Sequence, residues 1–295
     1  MVYDEQRYLT RNKFSTAKFE RECLAEYAAT FRTVCVDAGY YQFPSEQYLA
    51  GLCAQVPDGF QFAFKVTDEV TIKKFPNLPR FGPRAGAVNQ FFLNAELFRQ
   101  RFIEPCSGFQ QKIGPLILEF STFQKSDFEH GRDFVTALDH FLSALPKGWR
   151  YAVEIRNKNW LQPEYFAMLR SHNVAHVFNS WSRMPPVPDQ WALPDSDTAD
   201  FVVSRLLLRP GRTYEAAVKA FQPYKVRQDV YPELRETVQQ MVERLCRKTR
   251  KGWVYVNNRL EGSAPLTVAE YLEQIGALPP SEEDDEEKNR WQRID

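Results

Sequence analysis

Short, unbroken apolar runs recur along this chain, separated by stretches long enough for a helix. Seven of them read as buried strands: Thr33–Ala38, Phe60–Thr67, Gly114–Phe120, Arg150–Arg156, Val174–Asn179, Phe201–Leu207 and Gly252–Asn258. They are continuous rather than alternating, the pattern of parallel strands covered on both faces. Between them the period becomes helical. Phe19, Cys23, Tyr27 and Phe31 form one stripe, and Val135, Leu138, Phe141, Leu142 and Leu145 a second. Leu234, Val238, Met241, Val242 and Leu245 form the cleanest, with Arg, Glu and Gln opposite. Pro163 and Pro265 stand where a first helical turn accepts proline. Repeated strand–helix alternation predicts an α/β fold with a parallel sheet, and about eight such units close a TIM-barrel-like (β/α) barrel.

One strand is missing from that count. The opening stretch from Met1 to Tyr8 is too polar for a barrel strand, so the helix expected from about Ser15 has none before it. Either the barrel is seven-stranded or open, or the true start lies upstream of Met1; the second is the expectation. Two irregular stretches, Lys73 to Val88 and the Pro-rich Met184 to Pro194, are long enough to cover a site. Residues 1–279 are expected to form one TIM-barrel-like domain. Residues 280–295, with the acidic run Glu282, Glu283, Asp284, Asp285, Glu286 and Glu287, read as a disordered tail.

Composition removes several function classes. Basic and acidic residues balance at 38 each, which lacks the signature of a dedicated nucleic-acid binder but allows a local basic mouth. The five cysteines, Cys23, Cys35, Cys53, Cys106 and Cys246, are scattered and odd in number. They read as reduced core cysteines of a cytoplasmic protein, not as a disulfide frame or zinc site. No apolar run approaches the ~18 residues of a membrane span, and no signal-peptide pattern opens the chain. His130, His140, His172 and His176 have no metal-cluster spacing. Without GxGxxG, GxxxxGK[ST] or GxSxG, nicotinamide, flavin, P-loop and elbow-serine chemistry lack a motif.

The candidate chemistry lies where the strands end, the face from which barrel active sites are built. Those ends carry Asp37, Lys65, Glu119, Glu154, Arg156, Asn179, Arg205, Asn257 and Asn258. Such a ring either faces a ligand or neutralises itself as a buried network. Glu154 and Arg156 are two residues apart on one strand and point the same way, toward the barrel interior if Val153 and Ile155 face the helices. A guanidinium there suits a carboxylate or phosphate. Arg209-Pro210-Gly211-Arg212-Thr213-Tyr214 offers a second basic turn near the end of the barrel order. Asn257 and Asn258 can fix a ligand oxygen or tie down the turn that follows. Tyr40, Tyr41, Phe43, Trp160 and Trp181 cluster near the ends, and Tyr41 and Trp160 are the stacking candidates.

These residues resemble a known family. Phe64-Lys65-Val66-Thr67, Ala152-Val153-Glu154-Ile155-Arg156 with Trp160, and Asn257-Asn258 leading to Gly262-Ser263-Ala264-Pro265 look like signatures of the YecE-like family, domain of unknown function 72. Thr33-Val34-Cys35-Val36-Asp37, Tyr41 and Pro44-Ser45 match its second strand and loop. The resemblance runs to about Leu278 and implies a TIM-barrel-like fold with no established activity. Departures are the absent Gly-Thr-Ser-Gly-Trp first strand, the lack of a histidine near Thr71-Ile72-Lys73, and Glu119 where a glutamine is common.

Three functions fit. The first is an enzyme, a hydrolase or isomerase, on a phosphorylated or sugar-like substrate. Arg156, Lys65 and Arg205 would bind the anion, and Glu154 or Asp37 would act as general base or ligate a divalent cation, Mg²⁺ or Mn²⁺ before zinc. The second is a nucleic-acid-binding or repair-associated protein, which the neutral net charge disfavours. The third is a non-catalytic scaffold. The expected partner is a small anionic ligand; the oligomeric state is left open.

Overall fold

The computed structural model describes residues 5–276. Its centre is a seven-stranded parallel sheet of β1 (Thr33–Val36), β2 (Gln61–Lys65), β3 (Ile113–Glu119), β4 (Arg150–Glu154), β5 (Ala175–Asn179), β6 (Phe201–Leu206) and β7 (Lys251–Val256). Each strand pairs with its successor in the chain, the order that right-handed strand–helix crossovers generate. The main helices are α1 (Thr16–Thr30), α2 (Glu46–Cys53), α3 (Gly131–Ser143), α4 (Pro163–Ser171), α5 (Tyr214–Phe221), α6 (Pro232–Arg247) and α7 (Ala264–Gln274). The result is the expected α/β, TIM-barrel-like fold, nearly closed with seven strands among the described residues. Residues 5–14 form a single 3₁₀ turn and a small hairpin outside the barrel.

The alternation of side chains along each strand sorts the interior from the outer layer. In β2, Phe62 and Phe64 face the helices, whereas Ala63 faces the axis. In β4, Val153 joins the outer core and Ala152 the inner one. Seven strands enclose a narrow space. Ala63, Ala152 and Ala175 leave room there for Phe201 and Trp253. Gly114 is part of that fit: a Cβ on it would lie 3.1 Å from Trp253 Nε1. Between β1 and β7 there is no backbone ladder. Thr33 Oγ1 donates to the Gln61 carbonyl at 2.6 Å, so the Tyr255 hydroxyl, 3.0 Å away, donates to Thr33 across the seam.

Several expectations need correction. Most strands stop short of their apolar runs because the last residues already turn into loops; Ala38 opens a short helix to Tyr41. The stretch from Met184 to Pro194 is not irregular. It contains the helix Val187–Ala192, whose prolines sit at the cap and first turn, and which buries Val187 and Trp191 against Phe178. Lys73 to Val88 carries the 3₁₀ segment Pro79–Arg84 and is closed by a Lys74–Val88 bridge, with Phe75 and Phe81 packed on Tyr40 and Ile72. Cys246 is exposed, not core. Among the described residues no helix is long and apolar enough to cross a membrane. The tail at 280–295, and the ends of the 1–279 domain, lie outside the described residues.

Candidate functional site

Glu119 and Glu154 stand side by side at the ends of β3 and β4, directly paired in register. Both face the axis, where two carboxylates alone would repel. Three cations resolve this. Arg205 Nη1 donates to Glu119 Oε2 at 2.6 Å and also to Glu154 Oε2. Lys65 Nζ lies 3.0 Å from the same Glu119 oxygen. Arg156 Nη2 reaches Glu119 Oε1 at 2.8 Å and Glu154 Oε1 at 3.2 Å. Burial raises the Glu119 pKa, but the charges of Arg156, Arg205 and Lys65 outweigh it and hold the carboxyl at about 2. Burial opposes the charge on Arg205, and Glu154, Cys35 and Glu119 reverse that, keeping its pKa well above the ordinary guanidinium value.

Three cations against two carboxylates leave this buried cluster one positive charge in surplus. Asp37 is the nearest further carboxylate, 3.7 Å from Lys65, and its side chain is 66% exposed. Solvent screening weakens what it can compensate.

Aromatic rings cover the two outer cations. Lys65 Nζ sits 4.2 Å from the Tyr40 ring centroid, and the Arg156 guanidinium 4.1 Å from that of Trp181. Burial raises the Tyr40 hydroxyl to about 12, with Glu119 adding to it. Gly39 makes the first stack feasible, since a Cβ there would come within 2.9 Å of the Lys65 carbonyl. The second is braced from below. Ser180 Oγ accepts from the amides of Leu207 at 2.7 Å and Leu208 at 3.2 Å, tying the loop after β5 to the loop after β6. Buried Gln190 donates to the Asn179 carbonyl at 2.7 Å and the Pro185 carbonyl at 2.6 Å, fixing the same loop to the Val187–Ala192 helix.

Beyond Arg156 opens a cavity of 380 Å³. Its lining combines hydroxyls (Ser121, Thr122, Ser182, Thr213, Tyr214), the Trp181 ring, the cations Arg156 and Arg183, and Glu215. Arg156 thus belongs to both the cluster and the cavity.

A family described as "Protein of unknown function DUF72" matches residues 5–290. The chain belongs to the DUF72 family. A crystal structure of a DUF72 protein from Enterococcus faecalis V583 is 19% identical, with a TM-score of 0.60 and 94% of each chain covered. One from Thermotoga maritima MSB8 is 22% identical, with a TM-score of 0.57, covering 86% of this chain and 88% of that one. At such identities the likeness shows the fold alone. No curated protein matches the chain.

Within this DUF72 chain, Lys65, Glu154, Arg156 and Arg205 meet in one cluster, with Asp37 at its edge. Other candidates lie differently. Tyr41 is 61% exposed, and it is Tyr40 whose ring covers Lys65. Trp160 stacks on Phe123 and Phe134 at centroid distances of 5.5 and 5.1 Å, away from the cavity lining. Asn257 caps the turn after β7 by accepting from the Arg259 amide at 3.0 Å, and Asn258 accepts from Ala264 at 2.8 Å. Their side-chain oxygens tie down the turn. Glu154 has no exposed surface, and both its oxygens are bonded to arginine. The expectation of Mg²⁺ or Mn²⁺ fits poorly for the same reason: a divalent cation would join three charges of its own sign. Among the described residues no group of three His, Cys, Asp or Glu side chains could hold a metal ion. Ser180 and Gln190 escaped the sequence reading, because a serine and a glutamine in a Pro-rich stretch carry no pattern.

Proposed function

We propose that this DUF72 protein is an enzyme acting on a small phosphorylated, sugar-like substrate at the C-terminal mouth of its barrel. One observation carries the reading: Arg156, pinned by two buried carboxylates and a tryptophan ring, also lines the cavity, and its cluster has a positive charge to spare. A guanidinium held in this way offers donors to a phosphate at little entropic cost. The surrounding hydroxyls suit a polyol, and the Trp181 and Tyr214 rings supply apolar surface for a sugar face. Asp37, 3.7 Å from Lys65 at the edge of the cluster and 66% exposed, is the cluster's solvent-facing carboxylate and serves as the general base of this reading.

The test is a thermal-shift screen with phosphate, sugar phosphates, nucleotides and short oligonucleotides, on the wild type and Arg156→Gln. A ligand at about 100 times its Kd stabilises by about 2.7 kcal/mol. A shift by sugar phosphates that Arg156→Gln loses supports the reading. A shift by oligonucleotides alone, or none at all, removes it. Turnover of the stabilising compound is then expected to fall at least a hundredfold in Asp37→Asn, the order of one general-base contribution.

A further inference from the structure

Next to the Thr213–Tyr214 side of the cavity, a second set of guanidinium groups has no role so far. Arg209 and Arg212, in the connection after β6, both bond to a single carboxylate, Asp229. Arg259, in the connection after β7, stacks over the Tyr214 ring at 4.4 Å, and Tyr214 lines the cavity. Among the described residues Arg259 forms no ion pair. Two of these cations therefore share one carboxylate, and the third has none. Two of their donors, Nη1 of Arg212 and Nε of Arg259, are buried without a hydrogen-bond partner, a costly arrangement that an anion would relieve. Glu215, also in the lining, is an opposing charge, but it is exposed and so more screened.

Resting on the reading of the mouth as an anion site, we infer that the ligand carries two anionic groups. One meets Arg156 at the cavity floor. The other meets Arg212 and Arg259 at the rim, with the hydroxylated middle of the molecule between Thr213, Tyr214 and Trp181. The ligand class is a bisphosphorylated sugar or polyol, not a monophosphate.

Titration calorimetry with fructose 6-phosphate and fructose 1,6-bisphosphate as probes separates the claims. The bisphosphate is expected to bind at least tenfold more tightly. Arg259→Gln should bring its affinity down to that of the monophosphate while leaving the monophosphate unchanged, and Arg156→Gln should weaken both. Arg212→Gln is expected to behave like Arg259→Gln; if losing the Asp229 partner unfolds it, Arg259→Gln alone carries the test. Equal binding of the two probes, or bisphosphate affinity unchanged in Arg259→Gln, overturns the second subsite and leaves the mouth reading standing. Failure of both probes to bind overturns the mouth reading and the subsite together.

Discussion

Arg205 and Glu119 lie 86 residues apart in the chain and meet at 2.6 Å on the barrel axis. The same Arg205 nitrogen also serves Glu154, so one side chain holds three strands together. Arg205→Met leaves two buried carboxylates facing each other with less positive charge between them. Breaking a buried ion pair from one side costs about 3–5 kcal/mol. Equilibrium urea denaturation at neutral pH is expected to show a loss of that order. A loss below about 1 kcal/mol would mean the cluster relaxes without Arg205.

Glu119 links stability to acid. Its carboxyl is held near 2 in the folded protein, below its ordinary 4.5, so the unfolded chain binds the proton more readily. The stabilisation is therefore present above about pH 4.5 and lost as pH falls toward 2. Glu119→Gln should be less stable at pH 7 and show a flatter stability profile between pH 5 and 3. Parallel profiles for the two proteins would exclude Glu119 as a source of the acid limb.

His176 acts on a higher window. Burial lowers its pKa from 6.5 to about 4, against a smaller opposing effect of Gln190, so it is neutral in the fold and protonates first in the unfolded chain. Stability contributed by the neutral ring is present above pH 6.5 and lost as pH drops toward 4. The loss amounts to roughly 3 kcal/mol. Replacement by Phe, which suits the surrounding rings of Phe166 and Phe178, should remove the slope in that window. Persistence of the slope in His176→Phe would assign it to another group.

Gly39→Ala probes the approach of Tyr40 to Lys65. The added methyl meets a backbone oxygen, which cannot rotate away, so the turn must shift at a cost of about 1–3 kcal/mol. Denaturation should report that loss, and any phosphate-dependent thermal shift should shrink with it. Unchanged values for both would mean the turn has slack that its packing does not suggest.

The barrel was legible because parallel strands buried on both faces leave unbroken apolar runs, and a charge at the end of such a run stands out. That rule located Lys65, Glu119, Glu154 and Arg205. It failed where a residue leaves its strand. Whether Tyr40 or Tyr41 turns inward depends on the phase of a one-turn helix at Ala38–Tyr41. Trp160 and Trp181 both lie in loops that leave a strand end, yet Trp160 faces the rings of α3 and its flanking loop while Trp181 faces Arg156. Asn257 and Asn258 were readable as ligand or as cap, and the amides of Arg259 and Ala264 claimed them. The Val187–Ala192 helix was missed because prolines that open a helix look, in sequence, like those of a loop.

The tie between Thr33 and Tyr255 has a consequence for how this barrel comes apart. Every other pair of neighbouring strands is joined by a ladder, so separating them means breaking several backbone bonds at once. At the seam, among the described residues, a hydroxyl contact and the packing of Cys35 with Tyr255 and Trp253 take that place. The sheet is topologically a rolled strip rather than a hoop, and a strip has a preferred place to begin uncurling. Amide exchange should therefore spread inward from β1 and β7, leaving the middle strands as the last protected unit, and Tyr255→Phe should quicken that exchange at the margins long before it changes the midpoint of global unfolding.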